Sequence, residues 1–410
     1  MVFVLPCVSI AGTPDEMDFS LSDDQKLIRD TVRQFMEAEV RPTVRERDRT
    51  ETFAEAELRK IGEMGCCGML VPEEWGGAGV DTISYLLMLE EVARVDAAMA
   101  VALGVTNSVV CLPLWKHGTE AQKKKYLRKL ASGEWLGAFC LTEPQAGSDA
   151  AAIATRAERQ GDTYILNGTK SWVSSGGKAG LYLVFAKTDP DAGAKGVSAF
   201  LVEPGFAGFR VSRYEDKMGL RTSRSAEIVF ENCEAPAENR LGEEGQGLKI
   251  ALEALDGGRV GIAAQAVGIA QGALEESVKY AKQRRAFGKT ISEFQAIQWM
   301  IADMQTEIEA ARGLMYYAAW LRDQGAGRMG AYASRAKLYA SEMVNRVVYK
   351  AVQVHGSVGY SRETDVERMY RDARVISIYE GTSEIQRMII ARDLLGHGEA
   401  VKGVKAGSRE

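Results

Sequence analysis

One glutamate in the chain stands where a carboxylate could act as a base. Glu380 lies within the run IYEGTSEIQR, where Tyr379 offers an aromatic wall and Gly381 lets the backbone approach a ligand closely. Ser383 and Gln386 have the spacing of a capping box, which predicts that a helix begins just after Glu380. From these residues alone, a loop carboxylate favoured near a helix N-terminus is the simpler interpretation.

A second run, FCLTEPQAGSD from Phe139 to Asp149, could bind a polar ring edge or a phosphate. The hydroxyls of Thr142 and Ser148, and backbone N–H groups exposed by the freedom of Gly147, are the groups that would do so. Taken alone, the same run is a plain turn that ends a strand.

A third run, RRAFG from Arg284 to Gly288, places a basic pair and an aromatic ring between two predicted helices. A guanidinium matches the geometry of phosphate oxygens, so Arg284 could hold a phosphate. A solvated linker is the simpler interpretation of the residues alone. Gly288-Lys289-Thr290 resembles the end of a phosphate-binding P-loop, but that motif needs a glycine where this chain has Gln283.

Hydrophobic periodicity predicts helices in the first and last parts of the chain. Before residue 134, Ser22 and Gln25 form a capping box ahead of a helical apolar pattern. Residues 82–112 are apolar on most faces, which indicates a buried helix pair. After residue 245, the helical patterns are long, as in an antiparallel bundle, and cover residues 247–282, 291–322 and 328–355.

The middle of the chain predicts strands instead. Short β-like runs are separated by turn signals such as Asn167-Gly168, which favours a small antiparallel barrel or sandwich. The predicted strands are Trp135–Leu141, Thr163–Leu166, Leu181–Ala186, Val197–Val202 and Ala226–Phe230. The fold class is therefore α+β: an N-terminal helical domain, a middle antiparallel β-domain and a C-terminal four-helix bundle. The expected bounds are an extension at 1–16, domains at 17–133, 134–245 and 246–397, and a polar tail at 398–410.

Composition argues against several classes of function. The chain has 410 residues, of which 46% are hydrophobic and 26% charged, as in a soluble protein of two or three packed units. Lys plus Arg number 51 and Asp plus Glu number 56, and the resulting net charge of −5 disfavours nucleic acid or an anionic membrane as a partner. Six scattered cysteines and three histidines predict no metal site and suit a reducing cytoplasm.

The N-terminus and the missing motifs narrow the function further. Val2–Ile10 is mostly apolar, but no Lys or Arg precedes Lys26, so the positive region of a signal peptide is missing. Residues 1–16 are therefore expected to be an upstream extension, native or left by cloning. No other charge-free apolar run with membrane-type flanks is expected to reach about 18 residues. No G-x-G-x-x-G motif follows a strand, so a Rossmann cofactor site is not supported.

The three runs, in this order and at this spacing, resemble those of the acyl-CoA dehydrogenase family. The resemblance covers about residues 17–397 and reproduces the order of helices, strands and helices. It implies an FAD enzyme that desaturates an acyl-CoA to a trans-2-enoyl-CoA and passes electrons to an electron-transfer flavoprotein. It also implies a homotetramer, a dimer of dimers, in a bacterial cytoplasm rather than a mitochondrial matrix, without nucleic-acid or membrane partners.

The resemblance also implies which residues bind the cofactor. Trp172 would pack against the flavin, and Ser174 would supply the hydroxyl near N5 that many relatives take from threonine. Arg284 would cross a subunit interface to the pyrophosphate of a neighbour's FAD. Many relatives have a second glycine where this chain has Ser357, which puts that backbone contact in doubt. The full expected set is Phe139, Leu141, Thr142, Gly147, Ser148, Trp172, Ser174, Arg284, Phe287, Gln295, Gln353, Gly356, Thr382 and Glu384.

By the same resemblance, Glu380 is the base that removes the acyl α-proton. Some relatives carry the base on a bundle helix within an Asp-x-x-Arg pattern, which here runs from Asp256 to Arg259. The relocated glutamate would fall at Gly258, which cannot act as a base. The expected substrate-binding residues are Ser148, Asp256, Arg259, Tyr379 and Gly381, with Asp256 and Arg259 at the pantetheine arm.

The implied chemistry sets conditions on the site. A thioester α-proton is weakly acidic, so hydrogen bonds to the thioester oxygen must stabilise the enolate; in the family they come from the flavin ribityl chain and the base's own backbone N–H. Excluding water should raise the pKa of Glu380 toward neutrality. The apolar stretch Ala97–Val110 matches the acyl pocket and has no Arg or Lys, whereas glutaryl-type relatives place an arginine there. This predicts an uncharged short, branched or alicyclic acyl group, with aromatic groups left open.

Two other functions stay open on the sequence. An acyl-CoA oxidase-like flavoenzyme would pass electrons to molecular oxygen, although such enzymes usually carry extra C-terminal sequence, and nitroalkane oxidases use Asp as the base. A non-catalytic, flavin-bound DNA-associating relative would need a basic surface extension, which a net charge of −5 argues against. Oxygen consumption, or DNA binding that persists at physiological salt, would identify them.

Overall fold

Helices form the first part of the chain in the computed structural model, which describes residues 20–325 and 329–396. The predicted capping box is present, because the Ser22 hydroxyl accepts a hydrogen bond from the Gln25 backbone N–H and the Gln25 side chain accepts one from the Ser22 N–H. The helices are α1 (Asp23–Phe35), α2 (Val44–Thr50), α3 (Glu55–Glu63), α4 (Thr82–Val95), α5 (Ala97–Gly104), α6 (Leu112–His117) and α7 (Glu120–Ala131).

The predicted buried helix pair is confirmed in α4 and α5. Asp96 separates the two helices and begins α5, because its carboxylate accepts hydrogen bonds from the Ala98 and Met99 N–H groups. A π-helical turn, Val105–Cys111, continues α5 into α6. By length and composition alone, the combined stretch Ala97–His117 is long and apolar enough to span a membrane, although the expected absence concerned runs with membrane-type flanks. Its most apolar window is 94% buried within the protein, as in a core helix of a soluble protein.

Eight strands in the middle of the chain form one sheet. In spatial order they run β6-β7-β3-β2-β4-β5-β8, and β1 pairs with β4. Most neighbours are antiparallel, as predicted, but β4 is parallel to both β1 and β2, with Gly137 opposite Leu181 and Arg156 opposite Lys187. The strands are β1 (Gly137–Cys140), β2 (Arg156–Gln160), β3 (Thr163–Ser174), β4 (Leu181–Lys187), β5 (Val197–Val202), β6 (Phe209–Tyr214), β7 (Ser225–Pro236) and β8 (Arg240–Leu241).

Long helices return after the sheet, close to their predicted bounds. The second of them begins later than predicted because Ile291–Glu293 is a 3-10 turn. A short hairpin of β9 (Arg285–Ala286) and β10 (Lys289–Thr290) joins the first two. The helices are α8 (Gly247–Gln283), α9 (Gln295–Asp323), α10 (Met329–His355), α11 (Asp365–Ala373) and α12 (Ser383–Leu394). The predicted α+β fold of helices, sheet and helical bundle is thus confirmed.

The packing of α4 against α8 fixes the walls of the site. Gly268 and Gly272 lie one turn apart on α8, where a Cβ would overlap the backbone carbonyls of Glu90 and Arg94 on α4. Only glycine lets the two backbones approach this closely. The expected segments 1–16 and 398–410 lie wholly outside the described residues.

Candidate active site

A cavity of about 820 Å³ lies where the two helical parts and the sheet meet. The walls come from α4, α5, the π-helical turn, α8, the loop after β1, β3 and the segment before α12. The cavity brings together most of the residues that the sequence analysis singled out, namely Phe139, Leu141, Thr142, Gly147, Ser148, Trp172, Ser174, Arg259, Tyr379, Glu380, Gly381 and Thr382.

Five of the six remaining expected cofactor residues form a separate, exposed group at the far end of the bundle, which we call the distal group. α8 passes the cavity at Gly258 and ends at Gln283, roughly 37 Å further along at 1.5 Å per residue. At that end the Tyr280 ring stacks on His355 of α10, with ring centroids 4.4 Å apart. Residues of the distal group therefore cannot reach the cavity of their own chain. The group consists of Arg284, Phe287, Gln295, Gln353 and Gly356.

Phe287 has the geometry of a side chain presented to another surface. Its side chain is 93% exposed, and its backbone has a φ of 50° at the tip of the β9–β10 hairpin. A left-handed φ is uncommon for a bulky residue, and a large exposed ring is typical of an interaction site. The Phe294 ring lies 6.1 Å away edge-on and supports the hairpin from one side.

Two further expected residues, Asp256 and Glu384, do not line the cavity, and their expected binding roles stay predictions. The Asp256 carboxylate pairs with Arg259 and faces a smaller pocket of about 250 Å³ beside the cavity. Glu384 is exposed in the first turn of α12. Its own backbone N–H and the Thr382 hydroxyl lower the pKa of its carboxyl, so the ionised Glu384 stabilises the start of the helix.

Glu380 presents a buried carboxylate oxygen that has no partner. Among the described residues, no group donates a hydrogen bond to its Oε2. Burial raises the pKa of Glu380 to about 7, although the nearby cations of Lys337 and Arg259 favour the ionised form. A carboxylate with this pKa can both accept and release a proton near neutral pH.

Gly258 faces the same oxygen from α8. A Cβ added at Gly258 would overlap Oε2 of Glu380. Position 258 and the carboxylate of residue 380 therefore share one space. This is the geometry required if a base can be carried from either position, and here only Glu380 supplies a carboxylate.

The loop that carries Glu380 is held by the Gln386 side chain, which was wrongly predicted to be part of a capping box. α12 begins at Ser383, but Thr382 is its cap, because the Thr382 hydroxyl accepts from the Ile385 N–H at 3.3 Å. Gln386 forms no capping box with Ser383. Instead its buried amide donates to the carbonyl oxygens of Glu380 and Gly381, at 3.3 and 3.0 Å.

Three side chains around Glu380 were missed from the sequence. Lys337 is fully buried on α10 and donates from Nζ to the Gly381 carbonyl at 2.9 Å. Gln265 on α8 accepts a hydrogen bond at its side-chain oxygen from the Tyr379 hydroxyl. Tyr85 on α4 lines the cavity and is fully buried. None of the three has a clear signal in the sequence, because even Lys337 lies in the run ASRAKLYAS close to a second cation, Arg335.

The wall formed by the loop after β1 and by β3 fits a flavin. Trp172 has a φ of 59° and leaves 59% of its surface exposed, so its ring is available to stack on a planar group. The hydroxyls of Thr142, Ser148 and Ser174 line the cavity nearby. Space for a larger group is present at Gly147, where a Cβ would meet no atom within 4 Å.

A buried ion pair holds this wall in place. Lys170 Nζ lies 2.7 Å from Glu143 Oε1 and donates to the Leu141 carbonyl at 3.2 Å. Glu143 also accepts from the backbone N–H groups of Ala154 and Thr155, at 2.6 and 3.0 Å. Because every polar atom of this pair has a neighbour, the loop that presents Thr142 is fixed before a cofactor binds.

The part of the cavity between α4, α5 and α8 is apolar and closed by a tyrosine. Leu89, Ala100 and Val101 line it. The Tyr85 hydroxyl lies 3.2 Å from where a Cβ would stand on Gly261 and 3.9 Å from that of Gly104. Within residues 20–325 and 329–396, no group of three or more His, Cys, Asp or Glu side chains is placed to hold a metal ion.

Comparisons with known proteins cover nearly the whole chain. Three family models match: the acyl-CoA dehydrogenase N-terminal domain at residues 22–134, middle domain at 138–233 and C-terminal domain at 245–395. A short-chain specific acyl-CoA dehydrogenase of Clostridium acetobutylicum is 46% identical over 375 residues, spanning 92% of this chain and 99% of that protein.

Solved structures give the same picture. The butyryl-CoA dehydrogenase of Megasphaera elsdenii superposes with a TM-score of 0.91 and 46% identity, over 92% of this chain and all of that one. A chain from work on the electron transferring flavoprotein of Acidaminococcus fermentans and flavin-based electron bifurcation has a TM-score of 0.91 and 48% identity, over 92% of this chain and all of that chain.

Proposed function

The chain belongs to the acyl-CoA dehydrogenase family, and we propose that Glu380 removes the α-proton of an uncharged short-chain acyl-CoA, which is converted to the trans-2-enoyl-CoA. Members of the family are flavin-dependent oxidoreductases of fatty acid metabolism with FAD as the cofactor. The observation that carries the proposal is the buried, unpartnered Oε2 of Glu380 at the wall of a cavity that also fits a flavin.

In the proposed reaction, residues of the chain accept the proton and stabilise the charge that develops on the thioester oxygen. Oε2 of Glu380 accepts the proton from the α-carbon. The backbone N–H of Glu380 makes no hydrogen bond to another backbone group in the described ranges, so it is free to donate to the thioester oxygen and stabilise the enolate. A bound flavin supplies the acceptor for the hydride that leaves the β-carbon.

The acyl group is proposed to be short and uncharged. The part of the cavity closed by Tyr85 is lined by aliphatic side chains and glycines on α4, α5 and α8. A carboxylate buried there without a cation would be costly, which disfavours glutaryl-type substrates. Branched and alicyclic acyl groups are also proposed as substrates, because they occupy a cavity of the same width with a different shape.

Anaerobic titration with a panel of acyl-CoAs tests this proposal. We expect butyryl-CoA to bleach the flavin faster than glutaryl-CoA, because no Arg or Lys of α4, α5 or the π-helical turn lines the cavity to pair with a distal carboxylate. Isobutyryl-CoA and cyclohexanoyl-CoA in the same panel distinguish straight from branched and ring substrates. Faster bleaching by glutaryl-CoA than by butyryl-CoA would contradict the proposed substrate class.

We also propose an electron-transfer flavoprotein as the electron acceptor. The similarity to the chain from the Acidaminococcus fermentans electron-transferring flavoprotein work supports this partner. An oxidase would instead consume oxygen in step with product formation, and measuring oxygen uptake during turnover separates the two. The bacterial cytoplasmic location expected from the sequence stays a prediction.

The distal group is proposed to act on the cofactor of a neighbouring subunit, within a homotetramer. Arg284 and Phe287 are exposed and lie too far from their own cavity to serve it. We expect Arg284→Ala to lower FAD retention by about tenfold or more, since a charge-assisted hydrogen bond to phosphate is lost. Lys282→Ala, an exposed cation on the same helix end, is the matched control and should retain FAD normally.

Mixed oligomers give the sharper test of this arrangement. Arg284→Ala chains carry an intact base, and Glu380→Gln chains carry an intact distal group. Co-assembled, the two variants, one poor in FAD and the other without a base, should form some complete sites and regain part of the flavin reduction. Absence of any recovery in a mixed oligomer that has been verified by mass would show that Arg284 does not act across chains.

A further inference from the structure

One face of α10 holds the segment that leads to Glu380. Lys337, Ser341 and Asn345 follow one another at intervals of four residues, so their side chains share that face. Each donates to a backbone carbonyl of the segment before α12. The bonds are Lys337 Nζ to Gly381 at 2.9 Å, Ser341 Oγ to Ile376 at 3.2 Å and Asn345 Nδ2 to Ala373 at 3.5 Å.

Lys337 is the charged member of this series and is fully buried. It forms no ion pair within the described ranges, and its hydrogen bond goes to a neutral carbonyl. Desolvation lowers the pKa of Lys337 to about 8, against the effect of Glu380, whose charge favours the protonated amine. A buried cation without a bonded carboxylate is costly, and the nearby charge of Glu380 is what offsets that cost.

The peptide that Lys337 holds has an unusual backbone. Glu380 has a φ of 51°, in the left-handed region that glutamate rarely adopts, and Gly381 has a φ of 89°. Lys337 Nζ and the Gln386 amide both donate to the Gly381 carbonyl. Strained backbone persists only where surrounding contacts enforce it, and these two donors are such contacts.

Few other charged or titratable groups face Glu380. Arg259 approaches from α8, but its guanidinium is engaged by Asp256. Tyr85 from α4 is buried and the adjacent Tyr379 is partly buried, and desolvation raises the pKa of each hydroxyl, so both stay neutral. Lys337 is therefore the group that combines a positive charge with a direct bond to the loop of the base.

We propose that Lys337 is a positioning residue for the base: its amino group fixes the Glu380–Gly381 peptide, and its charge favours the ionised carboxylate. The proposal rests on the proposed function, in which Glu380 removes the α-proton. The 2.9 Å distance from Lys337 Nζ to the Gly381 carbonyl and the full burial of Lys337 support the positioning half of the proposal. The absence of another unengaged cation at Glu380, within the described part of the chain, supports the electrostatic half.

The electrostatic and the positioning roles of Lys337 predict different effects on the pH profile of flavin reduction. Only the ionised form of Glu380 can accept a proton, so the rate of flavin reduction should rise as pH increases through about 7. Removing the charge of Lys337 should raise the pKa of Glu380 further, which moves this rise to higher pH. Loss of the hydrogen bond to Gly381 should instead lower the plateau rate at every pH.

The experiment uses stopped-flow reduction of the FAD-loaded enzyme by butyryl-CoA, under anaerobic conditions, from pH 6 to pH 9. For Lys337→Met we expect the rise to move upward by about one pH unit or more, as for the loss of an opposite charge nearby, together with a plateau about tenfold lower. Lys337→Gln keeps a donor without the charge and should shift the rise with a smaller loss of plateau rate. Lys337→Arg should restore the position of the rise.

Controls separate this proposal from the proposed function and from a merely structural role. Lys350→Met removes an ion-paired lysine further along α10 and should leave the profile unchanged. If Lys337→Met and Lys337→Gln both bind FAD and keep the wild-type pH profile, the proposal is wrong. If only Lys337→Met fails to fold, an unshifted pH profile of Lys337→Gln overturns the proposal equally. If Glu380→Gln is reduced at the normal rate, the base assignment fails, and this proposal fails with it.

Discussion

Glu380→Gln should keep its FAD and lose flavin reduction by butyryl-CoA. Glutamine fills the same volume, so the cavity and the bonds from Gln386 and Lys337 to this loop are preserved. An amide cannot accept the α-proton, and a general base typically contributes about 10²- to 10⁴-fold to a rate. Rapid anaerobic mixing with butyryl-CoA, followed by the loss of flavin absorbance, measures the effect.

A stability measurement gives an independent check on the same variant. Burial raises the pKa of Glu380 from 4.5 to about 7, so the wild-type protein loses stability as pH rises through that range and the carboxyl must ionise. Glu380→Gln removes this penalty and should melt higher than wild type above pH 7, but not below pH 4.5.

Glu158→Gln is the matched control, because Glu158 on β2 is exposed and outside the cavity. It should reduce normally. Normal bleaching by Glu380→Gln itself would mean that another group removes the proton, and the base would have to be sought again among the residues of the cavity.

Gly258→Ala should inactivate the enzyme almost as fully as the loss of the base. The added methyl group would overlap Oε2 of Glu380 and push the carboxylate from its position. Misplacement by about 1 Å can cost on the order of 10²-fold in rate. Gly257→Ala, whose Cβ would meet the flexible end of Arg322 at 3.2 Å instead, is the control and should keep most of the activity.

Moving the base tests the shared space directly. Gly258→Glu alone would bring two carboxylates together, which disfavours ionisation of both, and should be inactive. Combined with Glu380→Gly, the same substitution should recover part of the flavin reduction from the opposite helix. Full activity of Gly258→Ala, or no recovery by a double variant that binds FAD, would show that the two positions are not equivalent.

Much of the fold could be predicted from the sequence because its signals are local and long. α8 and α10 extend over many turns, so their periodicity fixed the bounds to within a residue or two. β2 (RAERQ) and β6 (FRVSRY) were missed, because most of their side chains are exposed and few of them are apolar. Those strands are recognised by backbone pairing with β3 and β7, which composition does not reveal.

The site divides in the same way. The runs around Thr142 and Glu380 could be found because each is continuous in sequence. Lys337 lies 44 residues before the carbonyl to which it donates, and Gln265 lies 114 residues before its partner Tyr379. Nothing in either local pattern marks such a contact. The sequence pattern singles out Gln386, but its amide donates to the loop that carries Glu380 instead of capping α12. Tertiary packing determines that contact.

The roughly 37 Å along α8 between Gly258 and Gln283 also bears on thermodynamics. If the cofactor is held by the cavity of one chain and the distal group of another, then cofactor binding and chain association are linked equilibria. Dilution that separates the chains would release the flavin, and added flavin would draw the chains together. The colour of a solution of this protein would then report its state of assembly, and an isolated chain would be a folded but nearly colourless protein.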